Sequence, residues 1–381
     1  MLENSKFVSL KKYYDFKDVL ILPRASTLNS RSEVNLIKKF KFNNGTEWEG
    51  IPIMAANMTT IGTLEVYKTL SKYKMLTALH KFYKLEDLLE FNRENIEEPL
   101  DPEYFMISTG ISDKDYNNLV NILDNFNCKW IVIDIANGYI SNLKEFCKKV
   151  RNAYPDKIIV AGNVSTNEGV IDLINCGVDI IKCGLGGGSA CTTRIQTGIG
   201  MPQFSCILDC SDYTKRMRRL QENKNENSMF VQTDYPHKKI ESGYHYIISD
   251  GGITCPGDIA KAFGGGADFV MIGGEFAGHD ENPGELIERD GIKYKFFYGM
   301  SSSYAMKNNY ATNNNTNYRS SEGREIKVKY KGKLDNTVKN YLGGIRSTCT
   351  YTNSANIGDL EKNCRFILVN NQYNNNLVNG K

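Results

Sequence analysis

Eight short apolar runs, each ending in small or polar residues, set the strongest constraint on this chain. They occupy residues 51–58, 75–80, 105–110, 130–137, 158–164, 179–184, 246–252 and 269–274. Near-continuous apolar runs suit parallel strands, which are buried on both faces. Between them, residues 115–126, 142–153 and 168–176 carry Leu, Val, Ile and Phe at helical spacing. Eight strand–helix units predict an α/β fold, a single (β/α)8 TIM barrel with its active site at the C-terminal ends of the strands. An open doubly wound sheet is the alternative, and it accommodates eight units less naturally. At 381 residues the chain exceeds the roughly 250 of a plain barrel. Polar stretches supply the surplus: an expected inserted loop at 213–243, an active-site flap at 303–333 and a disordered tail at 370–381.

Composition excludes several function classes. Net charge is +3, and no basic stripe with interleaved aromatics is present, so nucleic acid is not an expected partner. No run reaches the length of a membrane span, and the first nine residues lack a signal-peptide core. A cytoplasmic location is therefore expected. The ten cysteines form no Cys-x-x-Cys, and Cys206 with Cys210 has no His at metal spacing. Most are expected to be buried thiols, with one or two chemically active.

The strand ends hold the chemistry. They offer Asn57, Lys81 beside His80, Asp134, Asn163, a cysteine loop, Asp250-Gly251-Gly252 and Gly273-Gly274. Glycine pairs after the seventh and eighth strands predict a backbone phosphate cradle. The loop at 184–194 has four glycines in five residues, then Cys191, Thr192, Thr193 and Arg194. A cation and backbone N–H groups favour a thiolate, and hydroxyls relay protons, so Cys191 is the candidate nucleophile. The spacing is not that of a dinucleotide fingerprint, and no Gly-Lys-Ser/Thr follows a glycine turn. Carbonyls of such a loop suit a monovalent cation instead. Among the histidines, His80 reads as structural, His237 and His245 as solvated, and His279 as a functional candidate.

These motifs also carry a resemblance. Gly186-Gly187-Gly188-Ser189-Ala190-Cys191-Thr192-Thr193-Arg194 resembles the catalytic loop of the IMP dehydrogenase and GMP reductase family. Ser249-Asp250-Gly251-Gly252, Ala262-Phe263-Gly264-Gly265-Gly266-Ala267-Asp268, Tyr298-Gly299-Met300-Ser301-Ser302 and Leu342-Gly343-Gly344-Ile345-Arg346-Ser347 are similar to its other motifs. Within that family the reductase branch is the better match, through Ser30-Arg31-Ser32-Glu33, Ile135-Ala136-Asn137-Gly138-Tyr139 and Tyr318-Arg319-Ser320-Ser321-Glu322-Gly323. There is no room between Lys81 and Asp134 for the dehydrogenases' regulatory domain. Their water-activating Arg-Tyr pair is missing between Met300 and Lys333.

The resemblance implies reductive deamination of GMP to IMP with NADPH, in purine salvage. A potassium ion and a homotetramer are implied with it. By resemblance, Cys191 is the nucleophile, and Thr193 with Glu322 moves the proton. Asp250, Gly251, Gly252, Gly273, Gly274, Gly299, Ser301, Arg319, Ser320, Ser321 and Gly323 would hold GMP. Ser30, Arg31, Lys81, Asp134, Ile135, Ala136, Met300, Ser347, Thr348, Cys349 and Thr350 would meet NADPH, with Arg31 and Lys81 on its 2′-phosphate. Gly186, Gly188, Cys191 and Arg194 would surround potassium. Two departures stand out: Gly187 replaces a usual Pro, and Thr59 replaces a usual Asp. An IMP dehydrogenase without its regulatory domain, or a nucleotide-binding protein without catalysis, are the alternatives.

Overall fold

The eight runs pair in sequence order. The structure is a computed structural model that describes residues 12–222, 242–298 and 325–370. Strands β1 (Ile53–Ala55), β2 (Leu76–Leu79), β3 (Phe105–Thr109), β4 (Trp130–Asp134), β5 (Ile158–Val164), β6 (Ile180–Cys183), β7 (Tyr246–Asp250) and β8 (Phe269–Ile272) each bond in parallel to the next. β8 closes onto β1, so the sheet is a closed barrel as expected. Helices α1 (Leu64–Leu70), α2 (Leu85–Glu94), α3 (Asp113–Asn125), α4 (Ser141–Ala153) and α5 (Asn167–Ile174) link the first six strands. A short α6 (Thr193–Thr197), then α7 (Gln203–Glu222), α8 (Pro256–Gly265) and α9 (Leu334–Tyr351) follow. Local chemistry starts these helices. The hydroxyls of Thr63, Ser112 and Thr166 accept backbone N–H bonds at the heads of α1, α3 and α5.

Side chains alternate between two cores, as the strand period of two requires. Ile53, Ile131, Ile159 and Ile181 face the helices. Met54, Trp130, Val132, Ile158, Val160, Ile180, Ile248, Phe269 and Met271 fill the barrel interior. An antiparallel hairpin, Lys38–Lys41 with Glu47–Gly50, adds Phe40, Phe42 and Trp48 to that interior. Phe40 stacks on Phe269 at 4.3 Å, and Trp48 meets Trp130 edge-on at 5.6 Å. The residues opening β4 and β8 are thereby sealed under aromatic rings. Ligand access is left to the C-terminal ends of the strands.

Several expectations about the surplus segments change. Residues 213–222 are not loop: α7 continues to Glu222, because Tyr213, Thr214 and Met217 turn inward at helical spacing. The rest of that stretch, 223–241, lies outside the described residues. Of the flap, residues 303–324 lie outside them too, while strand Glu325–Lys329 pairs antiparallel with Ile292–Tyr298. Phe366–Leu368 pairs with Val19–Ile21, and 371–381 is not described. His245 is not solvated. It is buried, with Nδ1 against the carbonyl of Val178 and Nε2 against Asn43. His279 is fully buried and bonds the Gly332 carbonyl, so it braces the segment after β8. Among the described residues no helix is long and apolar enough to cross a membrane.

Two stability predictions follow from this packing. Phe40→Ala should cost about 3–5 kcal/mol, because the plug collapses poorly around an aromatic-sized void. Urea denaturation reads it. Burial holds both His80 and His245 down to about 4 in the fold, against 6.5 when unfolded. The unfolded chain therefore binds protons first, and stability should fall as pH drops from about 6.5 towards 4. Replacing His245 with Gln should flatten that slope in a denaturation series across pH.

Candidate active site

A lysine fills the interior layer nearest the C-terminal ends of the strands. Inward alternation along β6 runs from Ile180 to Lys182. The same alternation brings Asp134 inward at the end of β4 and Asp250 at the end of β7. The side chain of Lys182 is only 2% exposed. Its Nζ lies 2.7 Å from Asp134 Oδ1 and 3.2 Å from Asp250 Oδ2. Asn57 donates to Asp134 Oδ2 at 2.8 Å, and Asn163 donates to Asp250 Oδ2 at 2.9 Å. Burial alone would lower the pKa of Lys182. The two carboxylates more than offset this and hold its pKa above the ordinary lysine value. Burial likewise opposes charge on Asp134, but Lys182 and the Asn57 amide outweigh it and keep its pKa below the usual carboxylate range.

Gly162 makes the contact possible. In the register it sits between Asp134 and Lys182. A Cβ there would lie 2.5 Å from the Lys182 carbonyl oxygen and 2.6 Å from its Cβ. With no side chain between them, Lys182 reaches across β5 to Asp134.

Above this layer opens a cleft of about 700 Å³. Its wall includes Lys81, Asp134, Ile135, Ala136, Gly186, Gly188, Cys191, Thr193, Asp250, Gly251, Gly252, Gly273 and Gly274. Cys191 is half-buried, and its Sγ is 3.2 Å from Thr193 Oγ1. The loop carrying it is tied at both ends. Asn163 donates to the Gly184 carbonyl at 2.9 Å, and Gly184 packs so close to β7 that a Cβ would lie 2.1 Å from the Asp250 carbonyl oxygen. Beyond Cys191, the Arg194 guanidinium bridges Asp15 at 3.1 Å and donates to the Met201 carbonyl at 2.6 Å. Asp15 also accepts the backbone N–H of Gln203, whose side chain donates to Cys183 and Ser249. Gly251 and Gly252 take φ of +99° and +79°, a backbone that only glycine adopts readily, so the turn after β7 leaves main chain rather than side chains facing the cleft.

The residues also fit a monovalent cation. The loop offers neutral carbonyl oxygens, and the buried Oε1 of Gln203 beneath it has no partner among the described residues. No group of three His, Cys, Asp or Glu side chains among them would hold a divalent metal instead.

The expected set is thus only partly assembled. Of the expected catalytic residues Cys191 and Thr193 line the cleft, and so do both glycine pairs. Arg194 does not line it; its side chain braces the loop through Asp15. Ser30 and Arg31 sit on an exposed turn against α9, which carries Ser347, Thr348 and Thr350. None of these five lines the cleft, so one chain does not bring Arg31 to Lys81, which pairs with Asp115 at 3.2 Å. Cys349 faces the core on the inward stripe of α9, and burial pushes its thiol up to about 12. Gly299, Met300, Ser301, Arg319, Ser320, Ser321, Glu322 and Gly323 lie outside the described residues. Sequence reasoning missed Lys182, the residue on which the layer centres. Its signal was present as a lone cation in an otherwise apolar run.

Comparison with known proteins agrees with this geometry. A family model described as an IMP dehydrogenase / GMP reductase domain matches residues 13–221 and 231–375. The human protein named GMP reductase 2 is 47% identical over 362 residues, covering 94% of this chain and 95% of the relative. Proteins named GMP reductase from Buchnera aphidicola subsp. Schizaphis graminum and Yersinia pestis (strain Pestoides F) are 46% and 44% identical over 361 residues, with the same coverage.

Gly162→Ala should crowd Lys182 and destabilise the fold by about 1–3 kcal/mol, as overpacking does. Urea denaturation of the variant beside wild type measures the loss.

Proposed function

Because this chain belongs to the IMP dehydrogenase/GMP reductase family, we propose that it reduces and deaminates GMP to IMP, with NADPH as hydride donor. The supporting observation is Cys191, 3.2 Å from the Thr193 hydroxyl, over a cleft that also holds Asp250 and both glycine pairs. Relatives at 44–47% identity over nearly the whole chain are named GMP reductases.

On this reading the Cys191 thiolate adds to C2 of the purine. The C2–N bond then breaks, and ammonia leaves with a proton delivered through Thr193, since an amide anion is too basic to depart. The product of that step is a thioimidate on Cys191. Bound NADPH supplies a hydride to C2. The C–S bond then breaks and returns the electron pair to sulfur, releasing IMP. Glu322 is the proposed partner of Thr193. Asp250 accepts ribose hydroxyls, and the amides after Gly251 and Gly273 meet the phosphate. Asp134, Ile135 and Ala136 hold the reacting end of the cofactor, Lys81 is kept for its 2′-phosphate, and the carbonyls of Gly186 and Gly188 with the Cys191–Arg194 segment hold potassium. The remaining cofactor residues, Ser30, Arg31, Ser347, Thr348 and Thr350, cluster away from the cleft. They are best used by a neighbouring copy, which supports an assembly of copies, proposed here as a homotetramer. The purine-salvage role and cytoplasmic setting belong to the same proposal.

Wild-type protein with GMP, NADPH and potassium should lose absorbance at 340 nm and yield IMP and ammonia. Cys191→Ala should lower turnover by at least about a thousandfold, as nucleophile loss does. XMP formed from IMP and NAD would identify a dehydrogenase instead, and GMP binding without turnover a binding protein.

A further inference from the structure

We propose that Lys182 is a positioning residue shared by the substrate and cofactor subsites, so that one ammonium orients the acidic contact of each. The inference rests on the functional reading above and adds to it. Asp134 stands among the proposed cofactor contacts, and Asp250 among the proposed GMP contacts. They come from β4 and β7, with two strands between them. Neighbouring strands are about 4.8 Å apart, so the carboxylates have no reason of backbone geometry to share a partner. They share one because Lys182 projects inward from β6, 2.7 Å from the first and 3.2 Å from the second.

The two carboxylates differ in what they leave for ligands. Both oxygens of Asp134 are engaged, Oδ1 by Lys182 and Oδ2 by Asn57. That carboxylate is immobilised, which suits a fixed wall beside a planar ring. Both contacts to Asp250 fall on Oδ2, from Lys182 and Asn163. Its Oδ1 has no partner among the described residues, and Asp250 lines the cleft. Lys182 thus turns one oxygen of Asp250 downward and frees the other to accept a ligand hydroxyl. The Lys182 side chain forms part of the cleft floor and is only 2% exposed, so it acts chiefly through the two carboxylates. A buried cation between two anions is also a fixed sum: weakening one contact draws Nζ towards the other.

That sharing makes a cross-effect testable. Full-length wild type, Lys182→Met, Lys182→Arg and Asp134→Asn would be titrated with GMP alone and NADPH alone, and their kcat and KM determined. Lys182→Met should weaken GMP and NADPH each by at least about tenfold, because both carboxylates lose their shared orienting partner. Lys182→Arg should restore most of both, since a guanidinium can bridge two carboxylates. Asp134→Asn should weaken GMP by about threefold or more with no cofactor present, because Nζ then closes on Asp250 Oδ2 and neutralises more of the charge with which that carboxylate accepts the ribose hydroxyl. A folded Lys182→Met with either affinity within twofold of wild type would overturn the proposal. So would an Asp134→Asn that affects NADPH alone. If Lys182→Met does not fold, the Arg and Asn variants decide by the same limits. Wild-type turnover with unaffected variants sinks only the shared role of Lys182; absence of both GMP binding and turnover in the wild type sinks the functional reading and this role with it.

Discussion

A charge buried inside a barrel must be neutralised where it stands, and Lys182 imposes that demand on three strands at once. Its ammonium is out of water, and an unpaired ion there would cost several kcal/mol. Neutrality requires Asp134 and Asp250 to arrive at the same depth, which ties the ends of β4, β6 and β7 into one arrangement. It also requires that nothing intervene, and Gly162 meets that condition on β5. Below this layer the interior is aromatic and aliphatic; above it lies the cleft. The polar layer therefore marks the boundary between packing and chemistry.

The loop that presents Cys191 depends on the same boundary. Asn163 serves both, since its side-chain amide donates to Asp250 and to the Gly184 carbonyl. At the far end, Asp15 holds Arg194 with one oxygen and the first N–H of α7 with the other. A segment near the N-terminus thus anchors a loop almost 180 residues away. Gly187 shows that these ties, rather than local stiffness, place the loop. A Cβ there would meet nothing closer than 3.5 Å, so close packing does not require a glycine at this position. Thr59, the other departure, does not line the cleft. It faces a separate cavity bordered by Glu65, Asp87, Glu90, Glu94, Asp280 and Glu281, where one more carboxylate would add repulsion.

The barrel was legible because parallel strands buried on both faces leave long apolar runs, and all eight runs contain the strands they predicted. That Cys191, Thr193 and the glycine pairs lie at the cleft was legible because they follow the strand ends, and clustered glycines cost backbone entropy unless the chain must turn tightly there. Lys182 was not, because an isolated lysine in an apolar run does not declare which face it takes or who neutralises it. His245 misled for a related reason. Beside a polar stretch it reads as solvated, yet Val178 and Asn43 satisfy both ring nitrogens in the interior. The start of the inserted segment was misread because Tyr213 and Met217 keep the stripe of α7 running under a charged outer face.

The distribution of charge and contacts separates what one chain completes from what it does not. Asp134 and Asp250, which line the cleft, are paired within the chain through Lys182, Asn57 and Asn163. The turn bearing Ser30 and Arg31 is instead held rigid and outward by its own bonds: Glu33 accepts the N–H groups of Asn29 and Ser30, and α9 supports it from below. An exposed, pre-ordered turn beside the Thr348 and Thr350 face of α9 has no use for the cleft of its own chain. On the proposed reading, the nucleophile and its electrostatic floor are a property of the monomer. The full cofactor contact set is a property of the assembly, so dissociation should weaken NADPH before it disturbs Cys191.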